Sequence, residues 1–279
     1  MARPESPFVA NTYSYIQSLP LSQCLERLSR RGFCDFEVMM YPGHLWPGEV
    51  DGAGRAALRR SLAERGLGII ALNMPNIDLN LAAAAREMRS HTVAILRGVV
   101  ELAADLAVPG VVIGPGKANG LFPEPPERLL PHFLAALDQL LPRARALGVA
   151  LWVENMPFAF LPRAASLLAV LEGYGFDGLG LVYDAANGYF AGEDLSEALR
   201  LIGKRLSLLH LSDTNRDRYR HGPIGSGSVP FAALPPVLEE ISYRGPVVLE
   251  IISADPDEDL GRAAQMLAAM GWKSSKGSA

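Results

Sequence analysis

Short apolar runs rich in β-branched residues alternate along the chain with longer stretches in which apolar residues recur every three or four positions. The short runs predict strands over Phe8–Tyr13, Phe36–Tyr41, Gly68–Met74, Val111–Gly114, Val149–Glu154, Gly178–Asp184, Leu206–Asp213 and Pro246–Ile251. The longer stretches predict helices near Leu21–Arg31, Ala56–Arg65, Ala83–Leu106, Arg128–Leu147, Ala164–Tyr174, Leu195–Ile202, Pro230–Ile241 and Asp257–Met270. Alternation of this kind implies parallel strands joined by right-handed helical crossovers. Eight units favour closure into a (β/α)8 TIM barrel over an open doubly wound sheet. No G-x-G-x-x-G follows the first strand, which weakens a dinucleotide-binding sheet further.

The length fits that expectation. A barrel of this type needs about 250 residues, and the chain has 279. No Gly- or Ser-rich linker divides it, so a single domain is expected over 1–272, followed by a flexible polar tail over 273–279. A 49% hydrophobic content supplies a sizeable core. The net charge of −4 lacks the basic excess of a general nucleic-acid binder. The most apolar stretch, Val93 to Ile113, is interrupted by Arg97, Glu101 and Asp105, and reads as a buried helix and a strand rather than a membrane span. Cys24 and Cys34 are the only cysteines, too few for a disulfide framework or a thiolate cluster. The opening MARPESPFVA lacks the basic and apolar regions of a signal peptide. Together these features predict a cytoplasmic location.

Chemistry concentrates in the second half. Each of the last four predicted strands carries a metal-competent side chain at or near its end: Glu154, Asp184, His210 and Glu250, separated by 30, 26 and 40 residues, about one βα unit each. In a barrel such positions converge on the carboxyl-terminal mouth, where active sites are built. A carboxylate inside an apolar strand is costly unless compensated, and three in one mouth repel one another. One divalent cation removes both penalties. Three carboxylates and an imidazole form a mostly hard donor set, which suits Mn²⁺ best, with Mg²⁺, Co²⁺ or Zn²⁺ also able to bind.

The segments VENMP, VYDAANGYFAGED, LLHLSD, HGPIGSGSV and VVLEI resemble the xylose isomerase-like barrels, a superfamily of sugar-phosphate isomerases and epimerases that also includes endonuclease IV. The resemblance implies that Glu154, Asp184, His210 and Glu250 bind the metal. It also matches the run from His221 to Ser228 to the family's H-x-P-x-G-x-G loop. Endonuclease IV relatives build a three-metal cluster with extra histidines. Here the loop reads Tyr219-Arg220-His221 and the whole chain holds five histidines, so a nuclease ranks low. The ketose 3-epimerase branch uses its first and last metal-binding glutamates as an acid–base pair, which implies that role for Glu154 and Glu250. Arg216 stands where that branch has an arginine. Asn187 and Phe160 stand where it has a histidine and a glutamate, and these departures point to a more apolar pocket or a cyclic or aromatic-linked polyol.

The expected activity is therefore a metal-dependent isomerase or epimerase of a sugar or keto-polyol, working through an enediolate. The alternative is a dehydratase of a cyclic polyol such as an inosose or dehydroshikimate, because loss of a β-hydroxyl from the same intermediate gives dehydration. A sugar-binding barrel without catalysis ranks below both, since no ligand of the tetrad is lost. Substrate contacts are expected from Asn187, Arg216, His221, Trp46, Asn73 and Lys117. Asn155, next to Glu154, fits either a substrate contact or a structural hydrogen bond. His44 and Trp46 follow the second strand and are candidates to wall the pocket. His91 and His132 fall in helices and read as structural. The expected partner is a small sugar or polyol, with no nucleic acid and no membrane. The resemblance adds a possible homo-oligomer.

Overall fold

A computed structural model describes residues 6–74 and 78–273. Its strands are β1 (Val9–Asn11), β2 (Asp35–Met39), β3 (Gly68–Asn73), β4 (Gly110–Ile113), β5 (Ala150–Glu154), β6 (Leu179–Asp184), β7 (Leu206–Leu211) and β8 (Val247–Leu249). Each pairs in parallel with its sequence neighbours, and β8 pairs with β1, closing the expected TIM barrel. The helices are α1 (Leu21–Ser29), α2 (Gly52–Glu64), α3 (Arg86–Leu106), α4 (Pro126–Ala146), α5 (Ala164–Tyr174), α6 (Ala185–Phe190), α7 (Leu195–Ile202), α8 (Leu234–Glu240) and α9 (Pro256–Ala269).

Two differences from the expected elements have local causes. The first strand stops at Asn11 because the Asn11 side-chain carbonyl accepts from the Tyr13 backbone N–H at 2.7 Å and starts a 3-10 turn over Tyr13–Tyr15. The short helix α6 follows β6 directly because Asp184 caps it, accepting the Asn187 N–H at 2.6 Å. Of the tail expected over 273–279, only Lys273 falls among the described residues, and it pairs with Glu239 at 2.9 Å. Cys24 is a buried free thiol. Among the described residues no helix is long and apolar enough to cross a membrane.

Side chains two residues apart on a strand share a face, and this rule builds the barrel interior. Val9, Ala71, Val112, Val182, Leu208 and Val248 form an apolar cluster inside the ring, with Trp152 packed against it. Two residues further along the same strands stand Asn11, Asn73, Glu154, Asp184, His210 and Glu250. The interior thus changes from apolar to polar at one level of the ring, one strand step above the plug. The alternate residues, such as Val38, Leu72, Val153, Leu181, Leu209 and Leu249, join the larger core between sheet and helices.

Trp152 fills the floor because its neighbours on both sides yield space. A Cβ on Gly110 of β4 would lie 2.6–2.7 Å from three atoms of the indole, and one on Gly180 of β6 would lie 2.6 Å from Cδ1. Gly110→Ala is therefore expected to destabilise by roughly 1–3 kcal/mol, the usual cost of overpacking a filled core. Urea unfolding checks this, and combination with Trp152→Leu should recover much of the loss. A Gly110→Ala protein as stable as wild type would show that Trp152 does not fill the floor.

Candidate metal centre

Strand ends deliver all four sequence-predicted ligands to the same point. Glu154 ends β5, Asp184 ends β6, His210 is the penultimate residue of β7, and Glu250 follows β8, where its N–H still donates to the Leu211 carbonyl at 3.0 Å. All four are buried. One ligand atom of each lies within 4.8 Å of those of the other three. His210 Nδ1 is 3.1 Å from Glu154 Oε1, 3.3 Å from Glu250 Oε2 and 3.8 Å from Asp184 Oδ2. Two of these oxygens, Asp184 Oδ2 and Glu250 Oε2, are buried without a hydrogen-bond partner. Buried polar atoms are rarely left so. The donor set, its spread and its orphaned oxygens fit a divalent cation.

The other ring nitrogen of His210 is held by a residue that the strand-end pattern passes over. Glu37, in the middle of β2 and fully buried, has its two carboxylate oxygens 3.1 and 2.9 Å from Nε2. Asn11 and Asn73 donate to the same carboxylate at 2.6 and 3.2 Å. The carboxylate accepts a hydrogen bond from Nε2–H, which leaves the Nδ1 lone pair for a metal. This is the usual way a ligating imidazole is oriented. The cost that marks Glu154, a carboxylate inside an apolar run, marks Glu37 equally in FEVMM.

A second chain of hydrogen bonds rises from Glu154 to the rim. The Asn187 amide donates to the Asn155 carbonyl at 2.9 Å and to Glu154 Oε1 at 3.3 Å. Its own carbonyl accepts from the Tyr219 hydroxyl at 2.7 Å. The Tyr219 oxygen is also 2.7 Å from His221 Nε2, so that nitrogen must carry the hydrogen. His221 Nδ1 is then turned to the Ser212 hydroxyl at 3.0 Å, with Glu250 Oε2 at 3.4 Å and Asp184 Oδ2 at 3.8 Å. Asn155 has the structural role: its amide bonds both the N–H and the carbonyl of Asp184, at 2.7 and 3.2 Å.

The loop that carries Tyr219 and His221 hangs on Asp213. This buried carboxylate accepts the backbone N–H groups of Thr214, Gly225, Gly227 and Val229 at 2.8–3.1 Å. At Gly227 a Cβ would come within 2.3 Å of the Thr214 carbonyl, so glycine is required there. The G-x-G of the loop is therefore a wrapping around Asp213.

Above the centre opens a cavity of about 450 Å³. Glu154, Glu250, Asn73, Lys117, Asn187 and His221 line it, so four of the six expected substrate contacts reach it. Trp46 and Arg216 do not line it. Trp46 is half-buried against the core. Arg216 stacks 4.2 Å over the Tyr189 ring and donates to the carbonyls of Tyr189 and Glu193. His44 is also turned away, bonded to the Leu19 carbonyl at 2.6 Å and the Thr12 hydroxyl at 3.0 Å.

A profile of the xylose isomerase-like TIM barrel family matches residues 25–270. The chain belongs to that family. An uncharacterized protein of Methanocaldococcus jannaschii is 28% identical over 188 residues, which cover 65% of this chain and 64% of that relative. A solved structure of L-ribulose 3-epimerase superposes with a TM-score of 0.80 at 22% identity, covering 94% of this chain and 93% of the other. The IOLI protein, solved with a bound zinc atom, gives 0.77 at 19% identity, covering 95% and 96%. At these identities the likeness to solved structures shows a shared fold.

Crowding of charge sets the protonation of the centre. Burial pushes the Asp184 carboxyl up to about 6, with Glu250 adding to the shift and the two histidines opposing it. Burial also raises Glu154 against the pull of His210. For His210, burial disfavours the imidazolium, but Glu37, Glu250 and Glu154 outweigh it and hold the ring well above its ordinary value. A group whose folded value exceeds its unfolded one binds its proton more tightly when folded. Its stabilising contribution is present at low pH and is lost as pH rises through the folded value. Metal-free wild type is therefore expected to lose stability relative to Asp184→Asn as pH rises from about 4 to about 6, between the ordinary carboxyl value and the raised one, read as the difference in Tm. A difference that stays constant over that range would rule out the raised Asp184 carboxyl.

Glu37→Gln is expected to weaken divalent-metal affinity by about 10- to 100-fold, the usual effect of removing such a partner. Competition with a fluorescent chelator measures it. Unchanged affinity in a folded variant would show that Glu37 does not orient His210.

Proposed function

We propose that this protein is an isomerase or epimerase that moves a proton alpha to a carbonyl of a sugar or keto-polyol. The observation that carries this reading is a split within the tetrad. Glu154 and Glu250 line the cavity, whereas Asp184 and His210 are fully buried beneath it. Only the two glutamates can meet both a metal and a substrate. They come from β5 and β8, three strands apart around the ring, and so approach a molecule in the mouth from different sides.

Mn²⁺ is the cation we assign, from the mostly oxygen donor set, and when bound it supplies Lewis acidity that polarises a substrate carbonyl and stabilises developing negative charge. The protein's own groups do the rest. One glutamate removes the proton alpha to the carbonyl, and the other delivers a proton from the opposite side. Burial raises the Glu154 carboxyl, which brings it closer to the working range of a general base. Asn187 steadies Glu154 through its 3.3 Å amide contact. The Asn73 side-chain oxygen is buried without a partner beside the cavity, and a substrate hydroxyl that reached it would satisfy it. The likeness to an L-ribulose 3-epimerase agrees with this reaction class.

The test is a set of keto-polyols incubated with Mn²⁺-loaded protein in deuterated water. Deuterium should enter the carbon alpha to the carbonyl while every hydroxyl is retained. Glu154→Gln and Glu250→Gln should each slow that exchange by at least about 100-fold, the low end for loss of a general acid or base. Exchange that persists in both variants removes the proposed acid–base pair, and loss of water from the substrate assigns the protein to the lyases instead.

A further inference from the structure

Along one side of the cavity the polar groups are already paired with one another. Asn187 spends both amide hydrogens on Asn155 and Glu154, and its carbonyl on Tyr219. The Tyr219 hydroxyl donates to Asn187 and accepts from His221. His221 in turn is engaged at both ring nitrogens. One side of the mouth therefore presents hydroxyl and amide groups that have little left to offer a substrate.

The remaining walls are mainly apolar, with Tyr13, Asn73 and Lys117 as their polar members. Met39, Met74, Leu79 and Leu81 line the side built from β2, β3 and the segment after β3, and all four are buried. Met156 and Ile252 face them from the ends of β5 and β8. Methionine packs well against rings and adapts to their outline. At the rim Phe158 is 61% exposed and Ile252 is 42% exposed, although both are large apolar side chains that line the cavity. Phe158 packs edge-on against Tyr219 with centroids 5.2 Å apart, so the rim also offers ring surface.

This distribution selects against a substrate with a hydroxyl on every carbon. A hydroxyl buried without a partner gives up its bonds to water and gets nothing back, which weakens binding. An apolar group in the same place gains from burial and covers the exposed rim.

We propose that the preferred substrate is an α-hydroxycarbonyl compound with an apolar aryl or alkyl body, rather than a free sugar. Its two head oxygens sit over Glu154 and Glu250, one hydroxyl meets the Asn73 carbonyl, and the body lies between the methionine wall and Phe158. The assignment rests on the α-proton-transfer reading above for the position of the head, and on the walls for the body.

Two probes with the same dihydroxyketone head separate the possibilities: one carries a benzyl group, and the other, xylulose, carries a polyol tail. Calorimetric titration of each into Mn²⁺-loaded wild-type protein gives affinity, and NMR of the same samples in deuterated water gives α-proton exchange. The benzyl compound should bind at least about tenfold more tightly, the effect of burying one ring of this size. Met156→Gln, which keeps side-chain length and leaves the metal ligands intact, should weaken binding of the benzyl compound more than that of xylulose and so reduce the ratio severalfold. Leu79→Gln serves as the second wall variant should Met156→Gln fail to fold. Equal or tighter binding of xylulose overturns the proposal, as does failure of both probes to bind. Tight binding of the benzyl compound without deuterium exchange leaves the proposal standing and overturns the α-proton-transfer reading. Exchange with equal affinities does the reverse.

Discussion

Four carboxylates, Glu37, Glu154, Asp184 and Glu250, crowd around one imidazole in a buried part of the molecule. Negative charges so close repel strongly where the dielectric is low. Much of the mouth is arranged around that repulsion. Asn11 and Asn73 donate to Glu37, Asn187 donates to Glu154 and Asp184, and Asn155 fixes the backbone that carries Asp184. All of these donors are neutral. Among the described residues no arginine forms a salt bridge with any of the four carboxylates. Neutral donors soften the repulsion without cancelling it, which leaves a strong affinity for positive charge at one point.

The barrel tolerates this arrangement because polarity changes at a single level. Val182 and Asp184, or Leu208 and His210, are two residues apart and face the same interior, yet one belongs to the plug and the other to the centre. The apolar plug and Trp152 carry the packing of the floor. Stability and chemistry are thus stacked along the barrel axis.

That stacking decides what was legible in the sequence. Glu154, Asp184, His210 and Glu250 stood out because each interrupts or ends an apolar run, and strand spacing predicted that they would meet. The closed ring of β1 to β8 followed from the same alternation. Glu37 interrupts a run in the same manner, but its meaning comes from His210, 173 positions away, and from Asn11 and Asn73 on neighbouring strands. No local pattern carries that. Arg216 and Trp46 failed to reach the cavity for a related reason. Residue type and loop position are readable, whereas the direction of a long side chain depends on the carbonyls and rings that compete for it, here Tyr189 and Glu193. Tyr219 went unmarked because a tyrosine in a polar loop looks ordinary until its hydroxyl is seen between Asn187 and His221.

The wrapping of the loop around Asp213 has a kinetic consequence. Four backbone amides converge on one buried carboxylate, and the loop closes on itself through paired Asp213 and Gly222 backbone bonds at 2.8 Å. A segment tied at so many points does not swing as a gate. Tyr219 and His221 are held in place before any substrate arrives, so this side of the mouth acts as a fixed template. Entry and departure of ligand must then be timed by other parts of the rim, and no turnover need wait for this loop to rearrange.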